Sequence, residues 1–187
     1  MRNATLALVA ASLVLQASPV LARELAGVNL PESVTVDGKA LQINGAGIRK
    51  KIGFKVYVGA LYLEKAATDL GAILAADQTR SVHMHFVRSV DKEKIINAFK
   101  EGFENNSKDK AAALSPQLDK VAAAMTDLKD GSELVVTYVP GKGTTIGIKG
   151  GASVTIEGKD FGDAILRNWL GPKPADGSLK EAMLAGK

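Results

Sequence analysis

Arg49 and Tyr57 are the residues of this chain whose types, in their setting, are suited to chemistry. They stand eight residues apart in "GAGIRKKIGFKVYVGALYLEK", residues 45–65, among glycines and strand-forming side chains. A guanidinium and a phenol among apolar neighbours must each find a partner. Three partners suit them. An internal acid such as Glu64 would make Arg49 half of a structural ion pair. A carbonyl or phenolate would make Arg49 an electrophile, with Tyr57 as acid or base. An acidic ligand would be held by both groups, the guanidinium in bidentate fashion. Lys55 is a further candidate cation beside them. Asn168 and Trp169, near the end of a C-terminal segment, are additional candidates; Trp169, the one tryptophan, reads as core packing or as the lining of a ligand cavity.

Other chemistry finds less support. His83 and His85 fall on one face of a strand, a spacing compatible with a metal, but no third ligand is evident in the sequence, and they read as exposed strand residues. "PGKGTT" lacks the full G-x-x-x-x-G-K-[ST] pattern and joins two strands, so it reads as a hairpin turn. There is no G-x-S-x-G elbow, and the absence of cysteine excludes a thiol nucleophile. The carboxylates of "DKEK" and "KEGFE" sit beside lysines, as on any solvated helix face. Neither a metal nor a cofactor is expected.

The elements that must position these residues follow from periodicity. "ESVTVDGKALQINGAGIRKK" alternates around a hairpin turn at Asp37-Gly38, and "FKVYVGALYLE" continues as strand. Strict alternation there puts Lys55, Tyr57, Gly59, Leu61 and Leu63 on one side, and Phe54, Val56, Val58, Ala60 and Tyr62 on the other. Glycines 45, 47, 53 and 59 signal close backbone packing, bulges or space for a ligand. "ATDLGAILAAD" has helical spacing with Thr68 or Asp69 as N-cap, and "TRSVHMHFVRS" is again a strand. "DKEKIINAFKEGFENN" is an amphipathic helix carrying Ile95, Ile96, Phe99 and Phe103. The next segment predicts one or two helical turns around Pro116, then a longer helix ending at Gly131. "SELVVTYVPG", "TTIGIKGG" and "SVTIEGK" form a meander, and "DFGDAILRNWLG" and "SLKEAMLAG" are closing helices. Short connections favour antiparallel pairing, and the helical insert must cover a sheet face. The expected architecture is α+β, one large antiparallel sheet under a helical layer, in one domain.

That domain is expected to span residues 23–187. Met1-Arg2-Asn3 is a basic start, "ATLALVAASLVLQA" is an apolar run too short for a comfortable span, and Val20 and Ala22 suit a signal peptidase. Residues 1–22 therefore read as a secretory signal peptide and the address as the bacterial periplasm. No later stretch approaches the roughly 20 apolar residues of a membrane helix. Without cysteines, no disulfide framework supports the fold. The net charge of +4, from 24 basic and 20 acidic residues, is scattered rather than gathered into a stripe, which argues against a nucleic-acid partner.

Three stretches carry a resemblance. "GAGIRKKIGFKVYVGALYLE" resembles the G-x-G-x-R…K-V-Y…G…Y-L segment of chalcone isomerase-like proteins. "HFVRSVDKEKIINAFKEGFENN" resembles the segment that follows in the bacterial secreted branch. "FGDAILRNWLGPKPADGSLKEAMLAG" resembles their C-terminal pattern, F-x-x-A-I-x-x-x-W-L-G followed by L-K-x-A-x-L-x-G. The resemblance implies an open-faced β-sandwich: a large antiparallel sheet, a helical layer and a cleft between them. Catalytic relatives use an arginine at the position of Arg49, a threonine where Tyr57 stands, and a tyrosine and an asparagine that fall near Asp91 and Ala98. Only the arginine is retained. Non-catalytic plant relatives hold a fatty-acid carboxylate with the same arginine and the tyrosine of a "KVY" strand, matching Arg49 and Tyr57. The segment between the two is shorter here than in the plant proteins. The resemblance thus implies a periplasmic binder of a fatty acid or similar amphipathic acid, with an isomerase or intramolecular lyase as the alternative.

Overall fold

β-Branched residues alternating with small or polar ones favour pleated structure, and they build most of this protein's sheet. The computed structural model describes residues 22–186, so the expected signal peptide lies outside the described residues apart from Ala22. Seven strands pair in sequence order: β3 (Ser33–Val36), β4 (Lys39–Lys51), β5 (Phe54–Leu63), β6 (Arg80–Phe86), β7 (Glu133–Val139), β8 (Gly143–Ile148) and β9 (Ser153–Ile156). Every pairing is antiparallel. A two-stranded hairpin, β1 (Ala22–Leu25) and β2 (Val28–Pro31), stands apart from this sheet. Helices α1 (Leu70–Ala75), α2 (Lys92–Asn106), α3 (Lys108–Ala124), α4 (Lys159–Leu170) and α5 (Gly177–Met183) complete the α+β architecture. No described helix is long and apolar enough to cross a membrane.

The sheet buries both faces, but unequally. On one face Leu61, Leu63, Val82, Met84 and Phe86 join Phe99, Phe103, Phe161, Ile165 and Trp169 from the helices in the main core. On the other, Val58, Ala60 and Tyr62 pack with Leu41, Ile43 and Leu30 of the hairpin. Sequence periodicity did not reveal that hairpin, because "RELAGVNLP" is short and its partner surface lies on distant strands. The helix of the insert also differs from expectation. α3 runs unbroken through Pro116 and ends at Ala124. Pro116 is exposed, so the carbonyl it leaves unpaired can be solvated. The helix stops because Met125 turns extended and Leu128, fully buried, forms a bridge with Val90.

Two irregularities in the β4–β5 pair set the geometry used below. Ile43 faces Tyr62 and Gly45 faces Leu61, so Asn44 is an extra residue on β4. Its amide is fully used: Nδ2 donates to the carbonyls of Ala67 and Met183, and Oδ1 accepts from the Ala67 N–H. Further along, Arg49 faces Tyr57 and Lys50 faces Lys55, which leaves Val56 as the extra residue on β5. The glycines between the bulges serve packing. A Cβ at Gly45 would lie 2.0 Å from the Ala182 carbonyl oxygen, and one at Gly47 or Gly59 would lie 2.8 Å from atoms of Ala182 or Met183. α5 therefore rests directly on the backbone of the sheet.

The turn between β4 and β5 carries strain. Ile52 and Gly53 form a two-residue loop with φ of 50° and 78°, the conformation for which asparagine or glycine is favoured at both positions. A β-branched residue there is an outlier, and its side chain is 88 % exposed, so burial supplies no compensation. Ile52→Asn is expected to stabilise the fold by about 1 kcal/mol, or roughly 2–4 °C in thermal melting. An unchanged or lower midpoint would refute the strain.

Candidate functional site

The Val56 bulge brings three residues of β5 to the helix side. Phe54, Val56 and Tyr57 all line one cleft, of about 420 Å³, between the sheet and helices α2 and α4. Its interior is apolar, with Met84 from β6, Ile95 and Phe99 from α2, and Trp169 from α4. Arg49, Lys51, Arg88 and Lys94 line it too, and no Asp or Glu side chain does. Cavities of this size and lining suit small amphipathic molecules.

Arg49 and Tyr57 are register partners, so the shorter connecting segment does not separate them. The Arg49 guanidinium carbon lies 5.8 Å from the centroid of the Tyr57 ring. Among the described residues no carboxylate comes within 4.0 Å of that guanidinium. Glu64, the internal partner considered from sequence, instead accepts from Lys39 Nζ at 2.9 Å and from the Thr79 N–H at 2.7 Å. Tyr57 is buried, with its ring tilted against Phe86 at 5.4 Å. Its hydroxyl oxygen accepts from the Trp169 indole N–H at 2.9 Å, which leaves the phenolic hydrogen available to donate. Burial pushes the phenol up to about 12, although the Arg49 charge and the indole bond oppose the shift. Near neutral pH Tyr57 is therefore a hydrogen-bond donor and not a base.

The remaining candidates are placed differently. Lys55 is exposed and does not line the cleft, because the bulge shifts it off the side that strict alternation assigned to it. Trp169 is both core and cleft wall, packed edge-on against Phe99 at 6.0 Å. Asn168 reaches the cleft lining but directs its amide at α2: Nδ2 donates to the Phe99 carbonyl at 3.4 Å, and Oδ1 presses on Gly102, where a Cβ would stand 2.1 Å away. Sequence reasoning missed Lys51, Arg88 and Lys94. They occur in ordinary charged runs, "IRKK" and "VRSVDKEK", and only the β4–β5 turn and the β6–α2 connection gather them at one mouth. Arg88 lies over the Phe54 ring at 5.2 Å, and Phe54 is 63 % exposed, so the mouth has an apolar lip as well as charge.

Comparison with known proteins identifies relatives. A family described as chalcone isomerase-like matches residues 22–185. Among solved structures, the chain is similar to a fatty-acid binding protein of Arabidopsis thaliana. The TM-score is 0.67 at 18 % identity, covering 88 % of this chain and 96 % of that one. No curated protein matches the sequence. At that identity the likeness establishes the fold, and the fold accounts for the cleft's position between sheet and helices.

Proposed function

The chain belongs to the chalcone isomerase-like family, and from that premise we propose that it is a non-catalytic protein that binds a fatty acid or similar amphipathic carboxylate in the cleft. The observation that carries this reading is the cleft's charge: four cations and no carboxylate line a largely apolar space, and of the four only Lys94 has a carboxylate partner, Asp91 at 2.8 Å, among the described residues. A carboxylate seated beside Arg49 would accept from the guanidinium and from the Tyr57 hydroxyl. The acyl tail would lie along Val56, Met84, Ile95 and Phe99, each buried methylene contributing about 0.8 kcal/mol. That the Arabidopsis neighbour is a fatty-acid binding protein supports the same ligand class. An enzymatic reading draws on the same Arg49 and would use Tyr57 as an acid, because burial raises the phenol to about 12 and keeps it protonated near neutral pH.

The basic start, apolar run and small residues of positions 1–22 support a periplasmic address for this activity. The test is saturable binding of a fluorescent fatty acid to delipidated protein, displaced by unlabelled fatty acid and by the fatty alcohol of equal length. The acid is expected to compete at least tenfold better, the worth of roughly 1.4 kcal/mol at the head group. Absence of saturable binding would reject the ligand class; equal competition would reject the head-group contact. Mass spectrometry of lipids extracted from the purified protein would then identify the natural chain.

A further inference from the structure

The outer face of the sheet, opposite the cleft, holds a second cluster of chemically capable side chains. His83 and His85 alternate on β6 with the core residues Val82, Met84 and Phe86, so both imidazoles point outward. They are half-buried rather than exposed as expected from sequence, and the ligand that the sequence did not reveal is present. Glu133, at the start of β7, is the register partner of His85. Glu133 Oε1 lies 2.6 Å from His83 Nδ1 and 3.4 Å from His85 Nε2. One ligand atom from each of the three residues fits within 4.8 Å of the others.

We propose that His83, His85 and Glu133 form a binding site for a divalent transition-metal ion of the zinc type, with a fourth coordination position open to solvent. The geometry points to this ion class. Bonds of about 2.0–2.1 Å at tetrahedral angles separate neighbouring ligand atoms by about 3.3 Å. The His85–Glu133 distance already matches that edge, and the direct His83–Glu133 bond opens by less than an ångström to admit an ion. Two imidazoles and one carboxylate are ligands of intermediate softness, suited to zinc, nickel or copper rather than magnesium or calcium. His85 Nε2 is buried and has no good hydrogen-bond partner, as a nitrogen reserved for a metal would be. The Tyr62 ring packs edge-on against His83 at 4.8 Å and limits its rotation. His83 must carry its proton on Nε2 in the bound form, leaving Nδ1 free to coordinate.

One neighbour opposes the ion. Lys149 Nζ lies 2.9 Å from Glu133 Oε2 and takes part of the carboxylate's charge. Its side chain is largely exposed, so it can swing away when Oε1 coordinates.

The test uses chelator-treated protein without a histidine tag, titrated with zinc against a chromogenic competitor. Wild type is expected to bind one equivalent. Glu133→Gln, which keeps shape, and His85→Ala are each expected to weaken it at least tenfold, with circular dichroism confirming the fold. Lys149→Ala is expected to tighten it, because a competing cation is removed. Cobalt(II) bound at the same site should give the strong visible bands of tetrahedral coordination. A wild type with no stoichiometric zinc binding, or binding retained in a His83→Ala/His85→Ala double variant, would overturn the site. These readouts do not depend on the cleft or its ligand.

Discussion

Arg49→Ala is expected to weaken binding of a long-chain fatty acid by ten- to a hundredfold while leaving the melting temperature nearly unchanged. A charge-assisted hydrogen bond contributes about 1.5–3 kcal/mol, which converts to that range of affinity. Stability should hold because no carboxylate among the described residues lies within 4.0 Å of the guanidinium; its removal strands no buried partner. Tyr57→Phe is a poorer probe. It would leave the Trp169 indole N–H, now 2.9 Å from the phenol, buried without an acceptor, and so mix a folding defect with a binding defect. The corresponding fatty alcohol, which carries no charge, should bind the Arg49→Ala variant much as it binds wild type. Lys51, Arg88 and Lys94 are more peripheral, so part of the wild-type affinity should also fall with added salt. An Arg49→Ala variant with wild-type affinity for the acid would remove Arg49 from the head-group site.

Gly45→Ala is expected to destabilise the protein by about 3 kcal/mol, or roughly 6–12 °C in melting temperature. The added methyl would meet two backbone carbonyl oxygens, Ala182 at 2.0 Å and Met183 at 2.8 Å, and neither can rotate away. β4 is held on both sides by β3 and β5, so α5 must lift instead. Lifting exposes Leu179 and Met183, both buried, and breaks the Asn44 bond to the Met183 carbonyl. It also disturbs Asp176, which caps α5 and accepts from the Lys50 N–H beside the cleft. Gly177→Ala is the control. A Cβ there meets nothing within 4 Å, and the melting temperature should not fall. A Gly45→Ala protein that melts with wild type would show that α5 does not rest on this strand.

The same residues show why some features were legible in the sequence. Alternation with a period of two and apolar spacing near 3.6 are local properties, and they located β3 to β9 and most of the helices without knowledge of contacts. The Asp37-Gly38 turn was readable because its chemistry lies in two adjacent residues; both adopt positive φ, 51° and 77°. Arg49 and Tyr57 stood out as polar groups in an apolar strand pair, and they do face one cleft.

What local pattern could not supply is register. A single extra residue at Val56 reverses the alternation preceding it, which excludes Lys55 from the cleft and admits Phe54. Glycines 45, 47 and 59 are open to several readings as sequence, and only the position of α5, more than 100 residues later, shows that they make room for a helix. His83 and His85 are two residues apart, but Glu133 reaches them across a strand pairing that spans the whole α2–α3 insert. The amino-acid sequence by itself determined most of the elements, the α+β class and the two polar residues to examine. The tertiary structure decided which side chains share a space, because cross-strand pairing and helix docking join residues whose separation along the chain carries no signal of their contact.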